Sequence, residues 1–123
     1  IFIDRMRMEQ VFRNIVNNSM NHMDANGHIL FSYSRKSELK ARDGKDTASY
    51  AVFGVTDNGV GISPEELPHI FDRFYRAGNS NPKSGTGLGL AICKEIIDNH
   101  NGIIWAESAE TVGTAVYVAL PRI

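Results

Sequence analysis

Residues 50–61 read YAVFGVTDNGVG, a stretch that joins a run of aromatic and β-branched residues to a polar, glycine-containing loop. The run predicts a strand, and the loop that follows it is typical of a tight hairpin turn. A functional interpretation is that Asp57 lies at the floor of a pocket, while Gly59 and Gly61 let a flat base approach the backbone. Because a carboxylate only accepts hydrogen bonds, Asp57 would select the exocyclic amine of adenine and reject the carbonyl oxygen of guanine.

A second glycine-containing stretch, GTGLGL at residues 85–90, opens directly into an apolar helical pattern that ends at Asn101-Gly102. Glycines at alternate positions let backbone amides face a phosphate, and the helix N-terminus adds a partial positive charge. The spacing matches neither a Rossmann fingerprint nor a P-loop. Residues 76–86, which precede and overlap this stretch, contain almost no apolar side chain and predict a mobile surface loop.

The first helix is predicted from about Arg5 to Met23, where apolar residues recur at intervals of three and four. Its asparagines cost about 0.5 kcal/mol each relative to alanine and therefore need a reason. They are Asn14, Asn17, Asn18 and Asn21. A solvated polar face or hydrogen bonds between helices would explain any one of them. Asn14 and Asn18 share one edge of the helix, however, and an amide oxygen is a hard neutral ligand that suits magnesium.

The remaining pattern contains further strands and a short helix. Strands are predicted at residues 28–34, 50–56, 103–107 and 114–120, with a long exposed hairpin loop at 35–49. The cap Ser63, the proline after it and Glu66 predict a helix that runs to about Ile70. This order of elements predicts an α+β fold: a two-layer sandwich with one mixed, mostly antiparallel sheet and helices on one face.

Composition narrows the class of protein. The chain has 123 residues, of which 42% are hydrophobic, enough for one domain over residues 1–123. A net charge of -1 gives no electrostatic reason to expect nucleic acid or an anionic membrane as partner. The single cysteine, Cys93, excludes a disulfide framework within the chain and suits a reducing, cytosolic setting. The sequence shows no membrane span or signal peptide, and its abrupt start suggests a piece of a longer protein.

Four motifs in this order resemble the nucleotide-binding boxes of the ATPase superfamily shared by gyrase, heat-shock chaperones, mismatch-repair proteins and histidine kinases. Residues 10–18 are similar to its asparagine box, and 57–61 and 85–90 to its two glycine boxes. Residues 70–76, IFDRFYR, are similar to the phenylalanine box peculiar to histidine kinases. The resemblance spans nearly the whole chain. It implies a Bergerat-type fold and the catalytic ATP-binding domain of a bacterial two-component sensor histidine kinase.

The resemblance also implies roles for individual residues. Asn18 would ligate Mg²⁺, Asn14 would support catalysis, and Arg76 would reach the terminal phosphates because a permanent cation stabilises charge in phosphoryl transfer. Residues 76–86 would form the ATP lid, with Phe71 and Phe74 at its base, although both phenylalanines fit equally well as core residues. The nucleotide would be lined by Asn18, Asp57, Gly59, Gly61, Lys83, Gly85, Thr86, Gly87, Leu88 and Gly89.

Two positions refine this interpretation. Hydrolytic relatives carry a glutamate one turn before the magnesium asparagine, and this chain has Asn14 there. An amide cannot take a proton from water, so the site would bind ATP and transfer the phosphoryl group only to another nucleophile. Where the family usually has a lysine, this chain has Asn21. A phosphate contact is thereby lost, which would weaken ATP binding unless Lys83 supplies the charge.

The predicted function is binding of MgATP and transfer of the γ-phosphoryl group to a histidine on a separate dimerisation domain of the same protein, with a response regulator as the later partner. Alone, the domain would not complete this transfer. None of the four histidines has the acidic and proline-containing setting of a phosphoacceptor: His22, His28, His69 and His100. The parent would be membrane-anchored, with this domain in the cytoplasm. The alternatives are a degenerate nucleotide-binding module and a serine kinase of the anti-sigma-factor type, against which the phenylalanine box argues.

Overall fold

The computed structural model describes residues 3–21, 23, 26–40, 47–73, 89–109 and 112–121. The described elements are helices α1 (Arg5–Asn21) and α2 (Gly89–Asn99), a 3₁₀ helix (Leu67–His69), and strands β1 (Ile29–Lys40), β2 (Thr47–Asp57), β3 (Ile103–Ala109) and β4 (Gly113–Pro121). None of the described helices is both long enough and apolar enough to cross a lipid bilayer.

The four strands form one sheet in the order β1-β2-β4-β3, and each neighbouring pair is antiparallel. Since side chains alternate between the faces of a strand, Val55 on β2 and its partner Val116 on β4 both face the helices. Helices α1 and α2 pack on this one face, so the predicted α+β sandwich is confirmed. Within the described residues its sheet is antiparallel throughout.

The core lies between the two helices and the sheet. Helix α1 buries Met8, Val11 and Ile15, as its spacing predicts, and α2 buries Leu90, Cys93, Ile96 and Ile97. The two helices run in opposite directions, as three contacts show. Asp4, just before α1, contacts His100, just after α2, while Val11 contacts Cys93 and Asn14 contacts Gly89. The middle of α1 therefore lies beside the start of α2.

Two predictions about local structure were wrong in their boundaries. The expected loop at 35–49 is largely strand, since β1 continues to Lys40 and β2 begins at Thr47. The expected helix after Ser63 is a bonded turn followed by three residues of 3₁₀ helix. The Ser63 side chain does accept a hydrogen bond from the Glu66 amide, at 3.3 Å, as predicted. Pro68 has no amide proton to donate to the carbonyl oxygen four residues before it, so an α-helix cannot continue through this position, whereas the 3₁₀ helix tolerates a proline in its first turn.

Cys93 gives a prediction for the pH dependence of stability. Its side chain is 0% exposed, and burial raises the pKa of the thiol from 9.0 to about 12, against a smaller lowering by a hydrogen bond with Asn14. Well below pH 9 the thiol is neutral in both the folded and unfolded states. Between the two pKa values only the unfolded thiol ionises, so the free energy of unfolding should fall by up to about 1.4 kcal/mol per pH unit.

Urea unfolding from pH 8 to 11 checks this expectation on the native protein and on Cys93→Ala. The native protein should lose stability more steeply with rising pH, even though the variant starts lower because of the cavity it creates. Parallel dependence of the two proteins on pH would contradict the assignment.

Candidate functional site

Asp57 is the last residue of β2 and is only 7% exposed. Its Oδ1 accepts hydrogen bonds from the backbone amides of Gly59, at 2.9 Å, and Thr114, at 3.2 Å. Its Oδ2 has no hydrogen-bond partner within the described part of the chain. One carboxylate oxygen of this buried residue is therefore anchored, while the other has no donor among the described residues.

The hairpin interpretation of residues 57–59 is not what the structure shows. Strand β2 pairs with β1 and β4, and the chain leaves Asp57 into a loop that leads to the 3₁₀ helix. The bond from the Gly59 amide to the Asp57 side chain forms a local turn of the kind that aspartate favours. Gly61, with φ of 76°, adopts the left-handed conformation that glycine permits without strain. The start of the loop thus holds the carboxylate at the end of the strand.

The turn before β4 approaches the backbone at Asp57 closely. Gly113 has φ of 141°, a region that side chains rarely adopt, and a Cβ at this position would collide with the Asp57 carbonyl oxygen. Glycine is therefore required here, both for the backbone conformation and for the close contact. The same close approach lies next to the bond from the Thr114 amide to the Asp57 carboxylate.

Two hydroxyl-bearing residues on the neighbouring strands β3 and β4 were not among the residues predicted from sequence. Thr114 is 7% exposed, and its hydroxyl lies 2.8 Å from the hydroxyl of Ser108 on β3. Ser108 also contacts the Ile62 amide, at 2.7 Å, and the Gly113 carbonyl oxygen, at 3.0 Å. A signal was present in the sequence: Thr114 occupies a position in the alternation of β4 that otherwise holds buried apolar residues, such as Val116 and Val118.

Asn14 connects the asparagine-containing helix to the start of α2. Its Nδ2 donates a hydrogen bond to the Gly89 carbonyl oxygen at 3.4 Å. Asn18 lies one turn further along α1 and is half-buried. Asn14, one turn before the predicted magnesium ligand Asn18, therefore contacts Gly89, which lies near the end of the second glycine box.

The other predicted residues divide into two groups. Phe71 is half-buried and packs against the core, so the core interpretation holds for it whatever further role it has. The remaining predicted residues lie outside the described part of the chain, and their roles stay predictions. They are Phe74, Arg76, Lys83, Gly85, Thr86, Gly87 and Leu88.

The described residues fit an adenine nucleotide. A buried carboxylate oxygen without a donor is costly, so a ligand that supplies an N–H group would be stabilised there. An adenine amine is such a group, whereas a carbonyl oxygen in the same place would be repelled. Asn18 carries a side-chain amide oxygen, a type of ligand that magnesium accepts, and its role as a magnesium ligand stays a prediction.

Comparison with known proteins agrees with this geometry. Residues 3–123 match the family described as histidine kinase-, DNA gyrase B-, and HSP90-like ATPase. The chain is 42% identical over 121 residues to the sensor protein kinase WalK of Staphylococcus saprophyticus, and 41% identical over 123 residues to that of Staphylococcus haemolyticus. Each alignment covers 97% of this chain but only 18% of the relative, so the chain spans about a fifth of the length of these proteins.

Solved structures give the same result. A mycobacterial sensor histidine kinase, MprB, has a TM-score of 0.78 and 26% identity, over 98% of this chain and 76% of that one. The nucleotide-free catalytic domain of histidine kinase ThkA has a TM-score of 0.70 and 31% identity, over 97% and 68%. Full-length ShkA in complex with AMPPNP has a TM-score of 0.70 and 26% identity, over 94% and 21%.

These findings confirm the resemblance to the catalytic domains of sensor histidine kinases that the four sequence motifs predict. The chain belongs to the histidine kinase-, DNA gyrase B- and HSP90-like ATPase family.

Proposed function

We propose that this chain binds MgATP and donates the γ-phosphoryl group to a histidine on a separate dimerisation domain, as one step of two-component signalling. The observation that carries the proposal is the Asp57 carboxylate, buried and held by two amides through Oδ1, with Oδ2 left for a ligand amine. The proposal takes residues 1–123 as one catalytic domain.

The chain's own residues divide the binding of the nucleotide among three places. Asp57 receives the base, with Gly59 and Gly61 beside it. Asn18 offers its amide oxygen to magnesium, which when bound would neutralise charge on the triphosphate. The glycines of residues 85–89 present backbone amides to the phosphates at the start of α2.

The amide side chain of Asn14 favours phosphoryl transfer to another group over ATP hydrolysis as the activity of this site. Its amide donates to the Gly89 carbonyl oxygen, so it acts as a link between α1 and the phosphate-binding end of α2. An amide cannot accept the proton of an attacking water at neutral pH, so Asn14 cannot replace the glutamate base of the hydrolytic relatives. In this proposal Asn14 is a catalytic support residue, and the nucleophile comes from another domain.

Two basic residues complete the proposed site. Arg76 would reach the terminal phosphates, where a guanidinium stabilises the charge that develops in phosphoryl transfer. Lys83 would supply the cation that Asn21 does not. Both act from the proposed lid, residues 76–86.

The partners follow from the same chemistry. The acceptor histidine belongs to a dimerisation domain of the same protein, and a response regulator receives the phosphoryl group afterwards. We place this domain in the cytoplasm, within a parent protein anchored to the membrane. The proposal includes neither nucleic acid nor direct membrane contact by this domain.

Joining this chain to its histidine-bearing helical domain and supplying ATP labelled on the γ-phosphorus tests the proposal. We expect acid-labile phosphohistidine that depends on magnesium, and at least an approximately 100-fold lower rate in Asn18→Ala. Asn17→Ala is the matched control, because Asn17 is exposed on the same helix and should transfer normally. ATP binding without transfer would favour a degenerate binding module, and acid-stable phosphoserine on a partner protein would favour a serine kinase.

A further inference from the structure

The hydroxyl of Ser108 has hydrogen-bond partners on three separate segments. It lies 2.7 Å from the Ile62 amide, 3.0 Å from the Gly113 carbonyl oxygen and 2.8 Å from the Thr114 hydroxyl. A serine hydroxyl has one proton and two lone pairs. The amide of Ile62 can only donate and the carbonyl of Gly113 can only accept, so the single Ser108 proton goes to Gly113.

This assignment fixes the proton of Thr114. With its own proton on Gly113 and one lone pair used by Ile62, Ser108 can meet the Thr114 hydroxyl only as an acceptor. Thr114 must therefore donate its hydroxyl proton to Ser108. What the Thr114 hydroxyl has left for any other partner is acceptor capacity alone.

Thr114 is adjacent to the carboxylate that receives the base in the proposed function. Its amide donates to Asp57 Oδ1 at 3.2 Å, and both residues are only 7% exposed. A Thr114 hydroxyl free to rotate could donate a hydrogen bond next to Asp57. Such a donor would either occupy the free carboxylate oxygen or pair with a carbonyl on an incoming base.

We propose that Ser108 is a positioning residue for base selection: by holding the Thr114 hydroxyl proton, it prevents that hydroxyl from donating a hydrogen bond beside Asp57 Oδ2, which stays an acceptor for the base. The inference rests on the proposed binding of ATP. It assigns to Ser108 a part in rejecting bases that carry a carbonyl oxygen in place of the adenine amine.

The test is the ratio of ATP affinity to ITP affinity, measured by calorimetry with magnesium, because the hypoxanthine of ITP carries a carbonyl oxygen where adenine carries its amine. In Ser108→Ala the Thr114 hydroxyl is released and can donate to that oxygen. We expect the ratio to fall about tenfold, mainly through tighter ITP binding. Ser108→Thr keeps the hydroxyl and should retain the native ratio.

A purely structural role for Ser108 predicts a different result, in which Ser108→Ala weakens both nucleotides equally and leaves the ratio unchanged. That result would overturn the proposal. In a Thr114→Val background, adding Ser108→Ala should leave the ratio unchanged, because the hydroxyl that it releases is missing. A further fall of the ratio in that background would likewise count against the proposal.

If Ser108→Ala does not fold, Thr114→Val alone still tests the proposal. This variant keeps the amide that binds Asp57 and removes a hydroxyl that only accepts, so the ratio should stay the same or fall. A rise in the ratio would show that Thr114 donates to the base and would overturn the proposal. A native protein that binds neither nucleotide overturns the proposed function and this inference with it, whereas selective ATP binding that is insensitive to Ser108 overturns only the inference.

Discussion

Replacing Asp57 with asparagine is expected to weaken ATP binding by about 100-fold or more, corresponding to roughly 3 kcal/mol. The asparagine Oδ1 can still accept from the Gly59 and Thr114 amides. Its amino group then takes the place of Oδ2 and meets the adenine amine donor to donor. Titration calorimetry with MgATP measures the change.

The design of this substitution separates binding from folding. Because both backbone amides keep their acceptor, the thermal unfolding of Asp57→Asn should remain close to that of the native protein. Glu65→Gln is the matched control: it makes the same change from carboxylate to amide, at an exposed position in the loop after Asp57. Equal loss of ATP affinity in both variants would point to net charge and away from recognition of the base.

Replacing Gly113 with alanine is expected to lower the free energy of unfolding by at least about 3 kcal/mol. The new Cβ would collide with the Asp57 carbonyl oxygen, at a residue whose φ of 141° already disfavours any side chain. Relief of the collision would separate β4 from the end of β2, so ATP binding should be lost together with stability. Urea unfolding followed by circular dichroism measures the effect.

Gly89→Ala is the matched control for stability. Gly89 is exposed at the start of α2, and among the described residues outside its own helix backbone and adjacent residues a Cβ there would have no neighbour nearer than the Asn14 Cβ at 4.0 Å. Alanine also has the higher helix propensity, so this variant should be as stable as the native protein or more stable by up to about 1 kcal/mol. If Gly113→Ala proved as stable as Gly89→Ala, that result would contradict the close approach between Gly113 and the Asp57 carbonyl oxygen.

Periodic and motif-bearing parts of the chain could be predicted from sequence. The spacing of apolar residues located α1, and it placed Met8, Val11 and Ile15 in the core. The place of Asp57 directly after a buried strand could also be read from the sequence, because a polar loop follows the run of aromatic and β-branched residues, whereas its role in binding a base stays a prediction. Both predictions depend on residues that are close together in the sequence.

What the sequence did not reveal depends on contacts between distant segments. The Ser108 hydroxyl and the Thr114 amide reach Asp57 and its loop only because β2 pairs with β4 in one particular register, with Thr56 opposite Ala115. Local rules also misled at Pro68, where a good cap at Ser63 is followed too soon by a residue that stops the helix. The mostly polar residues 35–40 continue as a strand at the edge of the described sheet, because pairing with β2 outweighs their composition.

The most direct test of the claim that the Asp57 carboxylate recognises adenine is calorimetry of ATP and ITP binding to the native protein and to Asp57→Asn. In the native protein ATP should bind much more tightly than ITP. In Asp57→Asn the new amino group can donate to the hypoxanthine oxygen, so the preference should fall by at least about 100-fold or invert. A preference for ATP that is the same in both proteins would contradict the account.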